Sequence, residues 1–409
     1  MQDTILYQQI LGLSDPWSVV SVKLDVANAR VDIDVEHRKD AKWTCPVCGR
    51  AVGLYDHAEE RIWRHLDSCQ FKTYLHARIP RVGCPEHGIL NAKLPWGERG
   101  SRFTMLMEKL IIAVLQQCYT VSAACRLLAI SWDEAHGVMI RSVRRGLARR
   151  QNKLPVYVAV DEKLFRRGQD YVTVVCDLEQ SAVIHVAEGR DTESLAGYYR
   201  GLPPEHRASI RAVAMDMSAA YVKATCENLP EGADKIVFDR FHIVKTANEV
   251  LDRVRQQECG ILNRQANPIL KHSRQMWLWG EENLPAKYQD RFAQLKQLDL
   301  KTSVAWAMKE NLRRLWGQLT LIAGRDHLVN WIDWVNRSGI RPMMQLAKTL
   351  QQQMPKVLNY FLHPITTNVS EGINSKIQAV RHKATGYRNT FNFIQAIYFF
   401  CGKLDLDPR

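Results

Sequence analysis

The chain has 409 residues, 46% of them hydrophobic, with a net charge of +13 and a pI near 9.3. The length calls for about two to four domains, and the hydrophobic content excludes an intrinsically disordered chain. The charge favours a polyanionic partner, nucleic acid first, and no apolar run approaches the ~18 residues that would span a bilayer.

The first residues, MQDTILYQQILGL, carry an acid and no basic cluster, so no signal peptide is expected. Ten scattered cysteines without a secretion signal then read as reduced thiols in a cytoplasm, a subset of them on metal. Residues 18–36 alternate apolar and polar around Asn28-Ala29, which predicts a β-hairpin. A cysteine-rich stretch follows from Lys42 to Gly88. CPVCG holds Cys45 and Cys48, and GCPEHG holds Cys84 and His87 at the same spacing. Two such pairs can complete a tetrahedral zinc site, and a module of this size would draw its folding energy from the metal. The gap between the pairs is long, and Cys69, His57, His65 and His76 lie within it as alternative ligands. The plain alternative is two unrelated turns with buried thiols.

Pro95 marks a break, and from Phe103 to Arg150 the period is helical. Three helices are predicted in TMLMEKLIIAVLQQC, TVSAACRLLAI and SWDEAHGVMIRSVRRGL. Thr120 or Ser122 caps the second, and Ser131 with Glu134 forms a capping box on the third. Short helices with tight turns permit a helix-turn-helix module. Arg141, Arg144, Arg145 and Arg149 fall on one side of the third helix, with Lys153 nearby. Such a stripe either tracks DNA phosphates or is a solvated face beside a linker.

After Pro155 the pattern becomes VYVAVD, YVTVVCD and AVIHVAE, three valine-rich strands. A helix (DTESLAGYYRGL), a strand (RAVAMD), a helix (SAAYVKATCENL) and a short strand (KIVFD) follow. This is the element order of an RNase H-like fold. From His242 to about Tyr360 only helical patterns occur, with six of the eleven tryptophans inside, at 277, 279, 306, 316, 331 and 334. Those tryptophans read as core, with one or two free to stack on a flipped base. A helix opened by Asn368 and another through FNFIQAIYFFC close the chain.

In the RNase H-like order, Asp161 and Asp216 each end a strand, and the two strand ends lie side by side. Glu371 would join them from a packed helix. Carboxylates held together repel unless a cation sits between them, and two magnesium ions about 3.5–4 Å apart serve both oxygens of a phosphodiester displacement. Each acid also has an ordinary explanation. An aspartate at a strand end is usually a turn or cap residue. Asn368-x-x-Glu371 has capping-box spacing. Glu162, Asp177 and Asp239 compete for the role.

VAVDEKLFRRGQDYVTVVCDLE, AMDMSAAY, FDRFHIVKTANEVLDRVR and TTNVSEGINSKIQAVRHKATGYRN together resemble bacterial insertion-sequence transposases of the ISL-three type, over nearly the whole chain. The resemblance implies a catalytic triad of Asp161, Asp216 and Glu371. It also implies an Asp239/His242 pair, with His242 positioning a phosphate or the attacking water, or else holding a helix. It favours Cys45, Cys48, Cys84 and His87 as the ligands of one structural zinc. Lys163, Arg166 and Arg167 would meet the scissile phosphate, unless they form a solvated charged turn. Two Mg²⁺ (or Mn²⁺) ions per site are implied, together with a homodimer or higher assembly that synapses two DNA ends.

The expected protein is a multidomain α/β DNA transposase, cytoplasmic and nucleoid-associated. Residues 1–95 would form the hairpin and zinc-binding domain, 96–153 the helix-turn-helix, and 154–249 the first part of the RNase H-like core. The helical insertion would take 250–360 and the last core helices 361–409. It would bind the terminal inverted repeats, cut to leave a 3′-hydroxyl, and join that end to target duplex DNA. Two rivals are a DNA-binding repressor with a lapsed core, and an RNase H-like nuclease that would not need the long front end.

Overall fold

The computed structural model describes residues 3–409 except 119, 151–153, 167–169, 366–367, 384–386 and 388; for 166, 368–371 and 383 it describes the backbone only. Two compact units result, one of residues 1–151, 380–386 and 398–409, the other of 152–379 and 387–397.

The first unit opens with α1 (Asp3–Ile10) and a six-stranded sheet: β1 (Trp17–Asp25), β2 (Arg30–His37), β3 (Trp43–Thr44), β4 (Ala51–Arg64), β5 (Lys72–Cys84) and β6 (Gly88–Asn91). The order is β1-β2-β5-β4-β3, with β6 also on β5; β2 and β5 run parallel and the other pairs antiparallel. The β1–β2 hairpin turns as its sequence predicts. The Asp25 carboxylate accepts from the Asn28 backbone N–H at 3.0 Å, and Ala29 takes a left-handed φ of 46°. Val31, Ile33 and Val35 on β2 alternate inward, as do Thr73, Leu75 and Ala77 on β5. They pack around Trp17, Trp43, Trp63 and Trp96, whose rings meet edge to face at 4.7–5.8 Å.

Three helices follow in this unit: α2 (Met105–Gln117), α3 (Val121–Leu128) and α4 (Trp132–Arg149). Thr104, Thr120 and Ser131 cap them, and Ser131 with Glu134 closes a reciprocal capping box. Ala129, at φ 51°, ends α3 and makes the tight turn into α4.

The second unit carries β7 (Tyr157–Arg166), β8 (Asp170–Asp177), β9 (Ala182–Glu188), α5 (Thr192–Gly201), α6 (Pro204–Ser209), β10 (Ala212–Met215), α7 (Ala219–Asn228), α8 (Gly232–Lys235) and β11 (Ile236–Phe238). The sheet order is β11-β10-β7-β8-β9, parallel across β11-β10-β7 and antiparallel across β7-β8-β9. Buried valines on both faces suit a sheet covered by helices. Asp161 does not end β7, as the sequence suggested. Pairing with β10 stops at Ala159, while β7 stays paired with β8 as far as Arg166, and β9 still flanks β8 as far as the Val172–Glu188 pair.

Helices then run through α9 (Arg240–Arg264), α10 (Arg274–Leu278), α11 (Ala286–Lys296), α12 (Lys301–Arg313), α13 (Leu321–Arg337), α14 (Arg341–Gln352) and α15 (Met354–Leu358). The 25-residue α9 leaves the sheet directly and crosses residue 250 without a break. Ile243, Ala247 and Leu251 on α9 share one apolar cluster with Val213 of the sheet and with Trp277, Trp306 and Trp331. Trp279 and Trp334 stay exposed. The chain ends with α16 (Asn368–Lys383) and α17 (Thr390–Cys401). Among the described residues no helix is long and apolar enough to cross a membrane.

Candidate active site and metal centre

The carboxylate site follows from strand register. Ala214 of β10 pairs with Ala159 of β7, so two residues further on Asp216 stands level with Asp161. Met215 pairs with Phe238 of β11, so the next residue there, Asp239, stands level with Asp216; its N–H donates to Met215 O at 2.9 Å. The register thus carries three aspartates to the same end of the parallel strands, just past their last paired residues.

Each carboxylate is held. Asp161 Oδ1 accepts from the Glu162 N–H at 2.7 Å, and Oδ2 accepts from Lys163 Nζ at 2.6 Å and Asn374 Nδ2 at 2.7 Å. The Asn374 bond ties α16 to the row. Asp216 Oδ1 accepts from the Ser218 N–H at 3.0 Å, turning the chain into α7. Asp239 is buried and caps α9 through the Phe241 N–H at 3.2 Å; His242 Nε2 is 3.8 Å from its Oδ2. Tyr221, early in α7, feels this charge. Burial raises its phenol pKa first, and the negative charges of Glu162, Asp216 and Asp161 raise it further, against a hydrogen bond shared with Thr173.

The structure thus gathers Asp161, Asp216, Asp239, His242, Lys163 and Asn374. Glu371 lies on α16 three residues before Asn374, with its side chain outside the described residues. The Arg166 side chain and Arg167 also fall outside them. Asp177 is used in the β8–β9 turn, accepting from the Glu179 and Gln180 amides. Asn374 was missed by sequence reasoning; its signal was the helical spacing of three from Glu371.

The second cluster is Cys45, Cys48, Cys84 and His87, whose ligand atoms all lie within 4.8 Å of one another. Cys48 Sγ to Cys84 Sγ is 3.8 Å, Cys84 Sγ to His87 Nδ1 3.5 Å and Cys45 Sγ to His87 Nδ1 3.9 Å. Zinc with bonds of about 2.3 Å to sulfur and 2.0 Å to nitrogen gives tetrahedron edges of about 3.8 and 3.5 Å, so the donor set fits that ion. Two turns of the same shape present it. Gly49 and Gly88 follow the second ligand of each pair at φ 72° and 70°, which favours glycine. The Glu86 and His87 amides hold the Cys84 thiol below its ordinary pKa, while, against the Arg50 amide, burial and the neighbouring Cys45 and Cys84 thiols raise that of Cys48.

The competing ligands are engaged elsewhere. His57 stacks on His37, His65 Nδ1 meets Thr104 Oγ1 at 2.9 Å, and His76 pairs with Asp32 and Glu60. Cys69 is exposed.

The arginine row on α4 splits. Arg141 pairs with Glu108, which is 1% exposed. Arg145, 8% exposed, pairs with Glu98 and donates to Leu406 O at 3.0 and 2.7 Å. Arg149 donates to Asp407 O at 2.5 Å and lies 3.6 Å from Asp405. Arg145 and Arg149 hold the C-terminal residues to α4, and Arg141 ties α4 to α2 through Glu108. Arg144 is exposed.

Comparison with known proteins gives the family. A DDE-type family model described as a transposase matches residues 158–397, more than half of the chain. A model for the zinc-finger of transposase IS204/IS1001/IS1096/IS1165 matches 41–87, and one for the helix-turn-helix domain of transposase family ISL3 matches 92–143. The fold, the acidic row and these matches define a DNA transposase of the DDE class, an enzyme of divalent-metal phosphodiester chemistry with a DNA-binding front end. The transposase for insertion sequence element IS1001 of Bordetella parapertussis is 28% identical, over 86% of this chain and 87% of its own length. That for IS1557 of Mycobacterium tuberculosis is 25% identical, over 95% and 93%. Within its class the chain belongs to the ISL3 transposase family.

Proposed function

We propose that this transposase binds the terminal inverted repeats of its own element through the front unit and cuts there with an RNase H-like core. The sheet order, three antiparallel strands followed by two parallel ones on the β7 side, supports that reading of the core. Asp161 and Asp216 with Glu371 would hold two Mg²⁺ or Mn²⁺ ions. Residue 371 precedes Asn374, which donates to Asp161, by three positions on α16, and that spacing supports including it. Bound there, the ions supply charge stabilisation to the attacking and leaving oxygens.

The protein groups then have distinct tasks. Asn374 and the Glu162 amide fix the Asp161 carboxylate. Asp239 caps α9 and sets His242 at the end of the row, where it can orient a phosphate. Lys163, paired with Asp161 in this structure, can exchange that partner for the scissile phosphate, joined by Arg166 and Arg167. The 3′-hydroxyl released by cutting would attack target DNA in the same site. The Cys45/Cys48/Cys84/His87 cluster would carry one structural zinc, and synapsis of two ends requires a dimer or higher assembly. Among the four α4 arginines, Arg144 is the one left for DNA, since Arg141, Arg145 and Arg149 are spent on the protein itself.

The observation that carries the reading is the β10–β7 register, whose last pair, Ala214 with Ala159, lies two residues before both Asp216 and Asp161. Its test is a labelled element end incubated with protein and Mg²⁺. Asp216→Asn should abolish cutting while end-binding persists. Cutting that survives the substitution would remove the assignment.

A further inference from the structure

The first unit contains a groove of about 870 Å³. Its lining runs from Pro46 and Val47, the tip between the zinc-type ligands Cys45 and Cys48, past β6 to Arg144 on α4. The two modules that would read DNA therefore share one concave surface inside a single compact unit. Val47 and Ile89 are exposed on it, at 64% and 47%.

Charge decides what this surface accepts. Five lining residues are cationic, Arg61, Lys93, Arg99, Arg144 and Arg409, and the single lining acid, Glu98, is already paired with Arg145. Arg61 donates to Ser101 O and stacks on Trp63, and Arg409 pairs with Asp405. Lys93, Arg99 and Arg144 are exposed, with no carboxylate partner among the described residues. Lys93 and Arg99 sit on the segment joining the sheet to α2, and Arg144 faces the groove from α4. A small anionic ligand would want convergent, buried donors, whereas these cations are exposed on an open surface. That arrangement suits an extended polyanion.

We propose that this groove is a track for the sugar-phosphate backbone of duplex DNA, with Lys93, Arg99 and Arg144 as its phosphate contacts. The assignment rests on the reading of the front unit as the end-binding part. It replaces a single helical stripe with three cations from two elements.

The test measures binding of full-length protein to a labelled element-end duplex and to a scrambled duplex across a salt series. The Lys93→Ala/Arg99→Ala/Arg144→Ala variant should lower the slope of log affinity against log salt by about 2.7, at roughly 0.9 per phosphate contact. Binding near 0.1 M salt should fall on the order of a hundredfold. Both duplexes should lose by the same factor, because phosphate contacts carry no sequence information. The charge-keeping variant Lys93→Arg/Arg99→Lys/Arg144→Lys should retain most of the slope. Lys39→Ala/Lys72→Ala, which removes exposed cations outside the groove, should change little. A wild-type slope in the alanine variant would overturn the track. So would a loss per charge no larger than that of the Lys39/Lys72 control, a loss confined to the element-end duplex, or an equal loss in the charge-keeping variant. Failure of the wild-type protein to prefer its element end would instead sink the end-binding function itself.

Discussion

Asn374 is the residue on which the acidic row turns. Its amide donates to Asp161 Oδ2 at 2.7 Å, and a hydrogen bond to a charged group contributes about 1.5–3 kcal/mol. Asn374→Ala should lower the cutting rate by roughly ten- to a hundredfold and raise the Mg²⁺ concentration for half-maximal rate, with end-binding unchanged. A shift in Mg²⁺ dependence separates positioning of Asp161 from a general loss of fold. His65 supplies a second check at this scale. It is 2% exposed, and burial pushes its pKa down to about 4. The folded state resists protonation while the unfolded chain titrates near 6.5, so the contribution of His65 is complete above about pH 6.5. It is lost as pH falls towards 4, to a total on the order of 3 kcal/mol. Nuclear magnetic resonance should find this ring neutral at pH 5, where an ordinary histidine is charged. The two aspartates stand out in the sequence because each follows a run of apolar residues, although Asp161 lies within β7 and only Asp216 follows its strand. The partners of Arg141, Arg145 and Arg149 were not. Helical spacing reports one face of one helix, and Arg145 finds Leu406 261 residues away.

At the scale of elements, legibility followed periodicity. The capping box on α4 and the strands β7 to β11 are where alternation and cap residues put them, within a few residues. The long strands β4 and β5 were hidden. Register shifts between Leu54 and Asp56 and between His57 and Glu60 break the period of two on β4. The clustered knuckles at the far ends of these strands explain the long gap between ligand pairs: β4 leaves one knuckle and β5 returns to the other. Chelation of the purified protein, or Cys45→Ser, should therefore loosen this sheet, read as protease cleavage within 45–90 and loss of bound zinc. α4 offers a sharper test. Gly146→Ala would ordinarily strengthen a helix by about 1 kcal/mol. Here a Cβ would stand 2.6 Å from Leu404 Cβ and 3.3 Å from Asp405 O. The crowding should win, lowering the melting temperature of the first unit by an amount equivalent to about 1–3 kcal/mol.

For the molecule as a whole, the chain path matters more than any boundary drawn along the sequence. The first unit takes its last residues, 398–409, from the far end of the chain, after the second unit has been built. This tail is part of the packing. Leu406 is 5% exposed, its carbonyl receives two bonds from a buried Arg145, and Arg150 donates to Gly402 O at 3.1 Å. Removing residues 402–409 takes away an apolar side chain worth about 1.5–3 kcal/mol and strips the Arg145 guanidinium of the one carbonyl that accepts two of its hydrogen bonds. The truncated chain should therefore melt earlier in its first unit and bind an element end more weakly, while its zinc content stays the same. A fragment ending at residue 151 should share the defect, and fusing residues 398–409 to it through a flexible linker should restore part of the lost stability. An unchanged melting profile in the truncated chain would make the tail a passenger. The composition, the knuckles and the acids point to what such a chain does, whereas its closing residues carry no motif. Their role follows from side chains on α4 that need partners, which no local pattern encodes.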